Sequence, residues 1–250
     1  LVADPGTGLV HRFSLADSTW SVLPREGRLP SPVDAAAGPD GLVFVSDSVA
    51  RQVVAFAADG QELFTCEGPF GRPTGLAYDF NSQRLLVADA ATHQIVVLGA
   101  DGRRLQTIGG RGESEGHFNF PIDVCVLDDG SLLVLDAMNF RIHHLAPTGQ
   151  PLDHFGGQGD QRGYLSRPRG LTVDPAGRIH VSDALQDHFQ IFDPSGQLLL
   201  AVGAQGHGPG EFWMPAGIAA DDQGRIFVAD AYNHRVQVFE YLTKGEGGRP

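Results

Sequence analysis

Residues 224–239 have the sequence Gly-Arg-Ile-Phe-Val-Ala-Asp-Ala-Tyr-Asn-His-Arg-Val-Gln-Val-Phe, in which apolar residues alternate on both sides of Asp230. An aspartate with valine two positions before it marks six copies of this unit, at Asp4, Asp47, Asp89, Asp136, Asp183 and Asp230. The last three intervals are 47 residues each. Repetition at a fixed period of this length predicts a propeller rather than a chain with one private active-site motif.

Each copy contains the pattern of four short strands. Apolar residues at a spacing of two come before the aspartate, as Ile226 and Val228 do before Asp230, and they indicate one face of a strand. Glycines six residues before and 13 residues after the aspartate, such as Gly130 and Gly149 around Asp136, predict tight hairpins. A glycine-rich connection then ends in a proline. Four antiparallel strands of about five residues make one propeller blade.

The whole unit resembles the NHL repeat. The resemblance is clearest over residues 215–239, where proline, an apolar run and a turn lead into the segment quoted above. Residues 121–145 are similar and contain Asp136, Asn139 and Arg141 at the matching positions. Because the resemblance covers essentially the whole chain, it implies an all-β, six-bladed β-propeller of four-stranded antiparallel blades.

The two ends predict that the first and last blades are incomplete. The blades are expected near residues 1–31, 32–72, 73–120, 121–167, 168–214 and 215–242. Leu1 begins in the second strand of a blade, and residues 243–250 are a tail or the start of an outer strand. We expect one propeller domain, 1–242, from a longer protein whose flanking segment closes the ring; a seventh blade outside the given residues remains an alternative.

The composition limits the classes of partner. The formal charge is −12, from 30 acidic residues against 17 arginines and one lysine, and it argues against nucleic-acid binding. No run of 18 apolar residues predicts a membrane span. Cys66 and Cys125 occupy different strand types, so a disulfide is not expected. Arginine in place of lysine suggests a bacterial source, and a periplasmic or extracellular location is favoured over others.

Positions at which the blades differ are the candidate ligand site. Two residues after the proline that opens a blade, three blades have glycine, whereas two have Asp34 and Asp123. This position begins the innermost strand, so both carboxylates are expected at the mouth of the central channel, beside Thr74 and Arg169. There they would hold a hydrated cation or the cationic group of a ligand. The alternative is that they bond local backbone N–H groups or pair with Arg169.

Histidines and loop aromatics add further candidates. His93 and His234 occupy equivalent loop positions and, with Asp34 and Asp123, are weak candidates for a calcium or zinc site in the channel; no cofactor is predicted otherwise. His144 takes the place of Val238 and is expected to be substantially buried. Trp213 departs from the loop pattern and is expected to be an exposed anchor for a partner.

The favoured function is a non-enzymatic binding or scaffolding propeller that contacts a protein or small ligand through its channel-mouth loops. The repeated aspartates are expected to accept loop N–H groups and fix turns, because a residue that every blade requires serves geometry rather than one site. The alternative is a metal-dependent lyase or hydrolase resembling peptidyl-hydroxyglycine lyases or lactonases.

Overall fold

The computed structural model describes residues 1–241 and contains six antiparallel sheets, each with its strands in chain order. The fold class is all-β, a six-bladed β-propeller. The described helical segments are two single turns of 3-10 helix, Pro39–Gly41 and Ala231–Asn233, and neither is long enough to cross a membrane. The chain divides into two compact units, and the second unit begins at Gly156.

The first unit contains four sheets. Its strands are β1 (Val2–Asp4), β2 (Leu9–Ser14) and β3 (Thr19–Leu23); β4 (Pro32–Ala37), β5 (Val43–Asp47), β6 (Gln52–Phe56) and β7 (Glu62–Thr65); β8 (Pro73–Asp79), β9 (Arg84–Asp89), β10 (Gln94–Gly99) and β11 (Arg104–Ile108); and β12 (Pro121–Val126), β13 (Leu132–Asp136), β14 (Arg141–Leu145) and β15 (Pro151–Gly156).

The second unit contains the remaining two sheets. Its strands are β16 (Pro168–Val173), β17 (Ile179–Asp183), β18 (His188–Phe192) and β19 (Leu198–Val202); and β20 (Pro215–Ala220), β21 (Ile226–Asp230) and β22 (Arg235–Phe239). Within residues 1–241 the first and last sheets have three strands each, as expected for incomplete end blades. The prediction for residues 243–250 lies outside the described residues.

The repeated aspartates mark one strand end in every blade. The second strands of the full blades, and their counterparts in the first and last blades, all end on the aspartate of the repeat: β1, β5, β9, β13, β17 and β21. Five inner strands begin on the predicted proline, from Pro32 in β4 to Pro215 in β20. Proline suits this position because a strand's first residue need not donate to the ladder.

The core consists of the two middle strands of each blade packed against neighbouring blades. Every residue of β13 and of β17 is buried. In the first unit, Leu86 and Ile95 of the third blade share one core with Phe118 and Leu132. Burial of each such side chain stabilises the fold by roughly 1.5–3 kcal/mol.

One hairpin departs from the glycine pattern in sequence but keeps its conformation. Gly130 and Gly177 have φ values of 81° and 78° in the turns between the first and second strands of their blades. Gln83, which occupies the same position in the third blade, also has a positive φ, 51°. The turn therefore imposes the left-handed conformation even where a side chain makes it costly.

The outer strands expose one large apolar residue per blade at a fixed position. The rim residues, defined by this position, are Trp20, Leu63, Leu105, Leu152 and Leu199, and all five are at least half exposed. In β7, β11 and β19 this residue falls at a β-bulge, since the pairing with the neighbouring strand shifts by one residue there. A bulged residue has no partner across the ladder and faces solvent.

Candidate functional site

Five of the six repeated aspartates, all but Asp4, bond their own blade to the connection that leads into it. The Asp230 carboxylate accepts the backbone N–H of Trp213 at 2.8 Å, the Asn233 amide at 2.9 Å and the Arg235 guanidinium at 2.8 Å. Burial raises the pKa of Asp230, but the donors on Trp213, Asn233 and Arg235 outweigh burial and leave the pKa below its ordinary value. Asp230 is therefore an ionised structural group.

The other blades keep the carboxylate and vary the donors. Asp136 accepts the N–H of Asn119 at 2.6 Å and the amide of Asn139 at 2.7 Å. Asp183 lacks the Asn and Arg of the repeat and instead accepts backbone N–H groups, including those of Arg167 and Leu185 at 3.0 Å. The prediction that the repeated aspartates fix loops is confirmed by these bonds.

Asp34 uses both carboxylate oxygens on backbone donors. On β4, its Oδ1 accepts the N–H of Ala35 and its Oδ2 accepts the N–H of Leu76, each at 2.8 Å. Leu76 belongs to β8, so the Asp34 side chain links the inner strands of two successive blades. Burial raises the pKa of Asp34, and the two N–H donors offset that effect only in part.

Asp123 lies directly against the inner strand of the preceding blade. Its Oδ1 accepts the N–H of Val124 at 2.9 Å. A Cβ placed on Gly75 would meet the Asp123 carboxylate and would lie 2.6 Å from the Asp123 Cα. Both predicted carboxylates therefore have local backbone donors, as the alternative expectation held, and their role in holding a cation or ligand stays a prediction.

Thr74 and Arg169 are the remaining predicted ligand residues. The Thr74 side chain is buried and its hydroxyl donates to the carbonyl of Ala88 at 3.0 Å, while its own carbonyl accepts the Ser46 hydroxyl at 2.6 Å. Thr74 thus serves the contact between β5, β8 and β9. Arg169 lies on β16 in the second unit and is exposed. Their ligand roles stay predictions.

His93 and His234 share a turn position but not an environment. Both have a left-handed backbone, with φ values of 59° and 52°. His93 is buried; its Nδ1 accepts the N–H of Phe120 at 3.1 Å, and its ring meets the Phe120 ring edge-on at 5.0 Å. His93 therefore links the third blade to the connection that opens the fourth, whereas His234 is exposed.

No metal-ligand group is present among residues 1–241, in the sense of three or more His, Cys, Asp or Glu side chains placed to hold one ion. The calcium or zinc alternative therefore has no such ligand set in the described part of the chain.

The expectation for His144 was wrong by one residue. His143 is the buried member of the pair, and its Nε2 lies 3.2 Å from the Asp136 carboxylate. His144 is only partly buried, between the Ser131 hydroxyl at 3.1 Å and Asp153 at 3.3 Å. The comparison with Val238 misled because Val238 is itself exposed.

Exposed apolar residues recur in the loop after the second strand of four blades. Two residues after the repeated aspartate, four blades have a large apolar side chain that is more than half exposed: Val49, Met138, Leu185 and Tyr232. We call these the loop-tip residues. Surface apolar side chains at one repeated position, on loops that the aspartates fix, are candidate contact residues in each of the two units.

The sixth blade adds a cluster of exposed rings, as expected for Trp213. The Trp213 ring is 40% exposed and lies 5.3 Å from the Tyr232 ring at an interplanar angle of 45°. His207 meets Trp213 edge-on, with ring centroids 5.4 Å apart and an angle of 85°. We call His207, Trp213 and Tyr232 the aromatic corner.

Comparison with known families agrees with the repeat geometry. Residues 70–98, 118–145 and 212–239 match the NHL repeat family model. The chain contains NHL repeats. The third matched segment includes Trp213 and Tyr232, so two residues of the aromatic corner lie inside an NHL repeat. No curated protein sequence matches the chain.

Solved structures share the fold of these NHL repeats. A chain of a nidogen/laminin complex superposes with a TM-score of 0.72 at 18% identity, over 94% of this chain and 86% of that chain. A streptogramin B lyase gives 0.68 at 12% identity, over 95% and 78%. A gluconolactonase from Xanthomonas campestris gives 0.64 at 20% identity, over 83% and 74%. At these identities the similarity shows the fold alone.

Two blades also contain an aspartate–arginine ion pair that the sequence patterns above did not predict. In the hairpin between the first two strands, Asp174 pairs with Arg178 at 2.6 Å and Asp221 pairs with Arg225 at 2.6 Å. An aspartate before the hairpin glycine and an arginine after it would have been the signal. Asp174 also accepts the buried His180 at 3.0 Å, so this pair is part of the core.

A polar groove of about 330 Å³ lies in the first unit, between β11, the connection after it and the turn before β15. Its lining includes Gln106, Glu115, His117 and Gln150. None of the predicted site residues lines it, and it adds no catalytic group to the candidate site.

Proposed function

We propose that this NHL-repeat propeller is a non-enzymatic binding module that contacts a protein partner through the loops after the second strand of each blade. The observation that carries the proposal is the exposure of the loop-tip residues. The repeat needs a turn at this position but not an apolar side chain, since the aspartate two residues earlier fixes the turn. An exposed apolar residue that folding does not require is best explained by a contact with a partner.

The loops are held before any partner arrives. The Asp47 carboxylate accepts the N–H of Val49 at 3.0 Å, and Asp183 accepts the N–H of Leu185 at 3.0 Å. The backbone beneath each loop tip is therefore fixed, and little conformational entropy is lost when a partner packs on it. The chain of the nidogen/laminin complex, which has the same fold, supports a protein rather than a small ligand as partner.

The alternative, a metal-dependent lyase or hydrolase, receives no support from a specific side-chain cluster. The streptogramin B lyase and the gluconolactonase share the fold with this chain. Propellers of one fold carry many unrelated functions, so this likeness does not transfer an activity. Among residues 1–241 no metal-ligand group supports that chemistry.

The test is partner capture with matched surface variants. One variant carries Met138→Ser, Leu185→Ser and Tyr232→Ser, and the control carries Leu105→Ser, Leu152→Ser and Leu199→Ser on the rim. The tagged proteins are crosslinked in an extract of the source organism, and captured proteins are quantified by mass spectrometry. We expect the loop-tip variant to lose a specific partner at least about tenfold, as for loss of interface anchors, while the rim variant retains it. Equal capture by both would contradict the proposal.

A further inference from the structure

The aromatic corner of the sixth blade is specific to that blade. The three equivalent positions are Glu113, Asn119 and Met138 in the fourth blade, and Asp160, Ser166 and Leu185 in the fifth, at offsets of 94 and 47 residues. Hence the repeat itself does not require His207, Trp213 and Tyr232. The Trp213 and Tyr232 rings are tilted by 45° to each other, and the His207 ring meets Trp213 edge-on, so three rings lie together at the surface.

Hydrogen bonds fix the tautomer of His207. The Asn233 amide nitrogen donates to the Gly206 carbonyl and to Asp230, each at 2.9 Å, so its oxygen is the atom that faces His207. His207 Nδ1 lies 2.6 Å from that oxygen. Nδ1 therefore carries the proton in the neutral ring, and Nε2 keeps a lone pair that can accept a hydrogen bond.

The cation next to the aromatic corner is already committed elsewhere. The Arg235 guanidinium donates to Asp230 and to three loop carbonyls, those of His207, Gly208 and Glu211, at 2.7–2.9 Å. The described arginine–ring stacks involve Phe70, Tyr241 and Phe227 rather than Trp213 or Tyr232. Trp213 is 40% exposed and Tyr232 is 56% exposed, so a cation from outside can reach the corner rings.

We propose that the aromatic corner binds a cationic side chain, arginine above all, of the partner protein. This inference rests on the proposed function, since it names the chemistry of one contact on the same loops. A guanidinium is attracted by the faces of Trp and Tyr, and its N–H groups match an acceptor such as His207 Nε2. The net charge of −12 favours the approach of a basic segment over an acidic one.

Tryptophan fluorescence can report binding at the aromatic corner directly, because the chain has two tryptophans and the other one, Trp20, lies on the rim of the first blade. A Trp20→Phe protein reports on Trp213 alone. It is titrated with an acetylated, amidated hexapeptide that contains one arginine, and with the same peptide containing citrulline, the neutral isostere. We expect saturable fluorescence changes with the arginine peptide and an affinity about 3- to 30-fold weaker with citrulline.

Two further variants in the Trp20→Phe background locate the contact. Tyr232→Ser is expected to lower the affinity for the arginine peptide about 3- to 30-fold. Leu199→Ser on the rim is expected to leave that affinity unchanged. Thermal melts check that both variants remain folded. Equal binding of the two peptides, or no effect of Tyr232→Ser, would overturn the assignment. If partner capture still depends on the loop tips in that case, the proposed function stands and only the cation assignment fails.

Discussion

The Asp34 carboxylate accepts the backbone N–H of Leu76 at 2.8 Å, so a side chain of the second blade completes a hydrogen bond in the inner strand of the third. Asp34 is partly buried, and burial raises its pKa although two N–H groups donate to it. This combination gives an aspartate with an unusual pH dependence of stability.

We predict that Asp34 makes the protein less stable as pH rises. Because the pKa of Asp34 is higher in the folded than in the unfolded chain, the folded state binds more protons between the two values. The contribution of Asp34 to stability is full below the unfolded value, near 3.9, and is lost as pH rises through the raised folded value. The measurement is the urea midpoint against pH for the wild type and Asp34→Asn.

The variant should lack that fall in stability, so the free-energy difference between wild type and Asp34→Asn should change with pH. Asp222→Asn, at an exposed carboxylate, is the control and should follow the wild type. Parallel pH curves for the wild type and Asp34→Asn would contradict the prediction.

Gly75 and Gly217 should respond differently to the same substitution. A Cβ at Gly75 would lie 2.6 Å from the Asp123 Cα, and backbone atoms of a packed strand cannot move away cheaply. The equivalent Gly217 has nothing within 4 Å of a Cβ. We expect Gly75→Ala to cost about 3 kcal/mol or more, as overpacking does, and Gly217→Ala to change stability by less than about 0.5 kcal/mol. Chemical denaturation of the two variants and the wild type measures both changes in the free energy of unfolding.

His93 should behave as a link between blades rather than as a metal ligand. His93→Ala removes the acceptor of the Phe120 N–H and is expected to cost about 1–3 kcal/mol. His234→Ala, in the same left-handed turn but exposed, is the matched control and should cost less. Added zinc or calcium should raise the melting temperature of neither the wild type nor His93→Ala. A wild-type-specific rise would restore the metal-site hypothesis.

Asp230 should give the opposite pH response to Asp34. The pKa of Asp230 is lowered in the folded state, so its contribution to stability is present above the unfolded value and is lost as pH falls through the folded value. Asp230→Ala removes the acceptor of the Trp213 N–H and one of the four acceptors of Arg235, and is expected to cost about 2–4 kcal/mol at neutral pH. The variant should also lose less stability than the wild type on acidification to pH 3, as followed by circular dichroism.

The fold was predictable because the aspartates divide the chain at the same strand end in every blade. Strands β5, β9, β13, β17 and β21 all end on the residue that the repeat marks, and local turn chemistry alone decides that position. The role of Asp34 could not be predicted, since the N–H group that donates to it, that of Leu76, is 42 residues away, and the bond depends on how close two inner strands come.

Burial within a blade was the weakest part of the sequence argument. His144 was expected to be buried, but His143 is the buried residue. The error arose because the same position was assumed to be buried in each blade, whereas Val238 is exposed. Of the aromatic corner, only Trp213 could be picked out from the sequence, because it departs from the repeat pattern. Its contacts with His207 and Tyr232 needed the fold of two loops that are far apart in sequence.

The bulges that expose Leu63, Leu105 and Leu199 have a consequence for solubility. A free outer strand offers unpaired N–H and C=O groups on which a strand of another molecule can assemble. At each bulge the spacing of those groups is broken by one extra residue, so an incoming straight strand loses register after a few bonds. The interruption that places a leucine in solvent thus also makes these sheet edges poor templates for fibre growth.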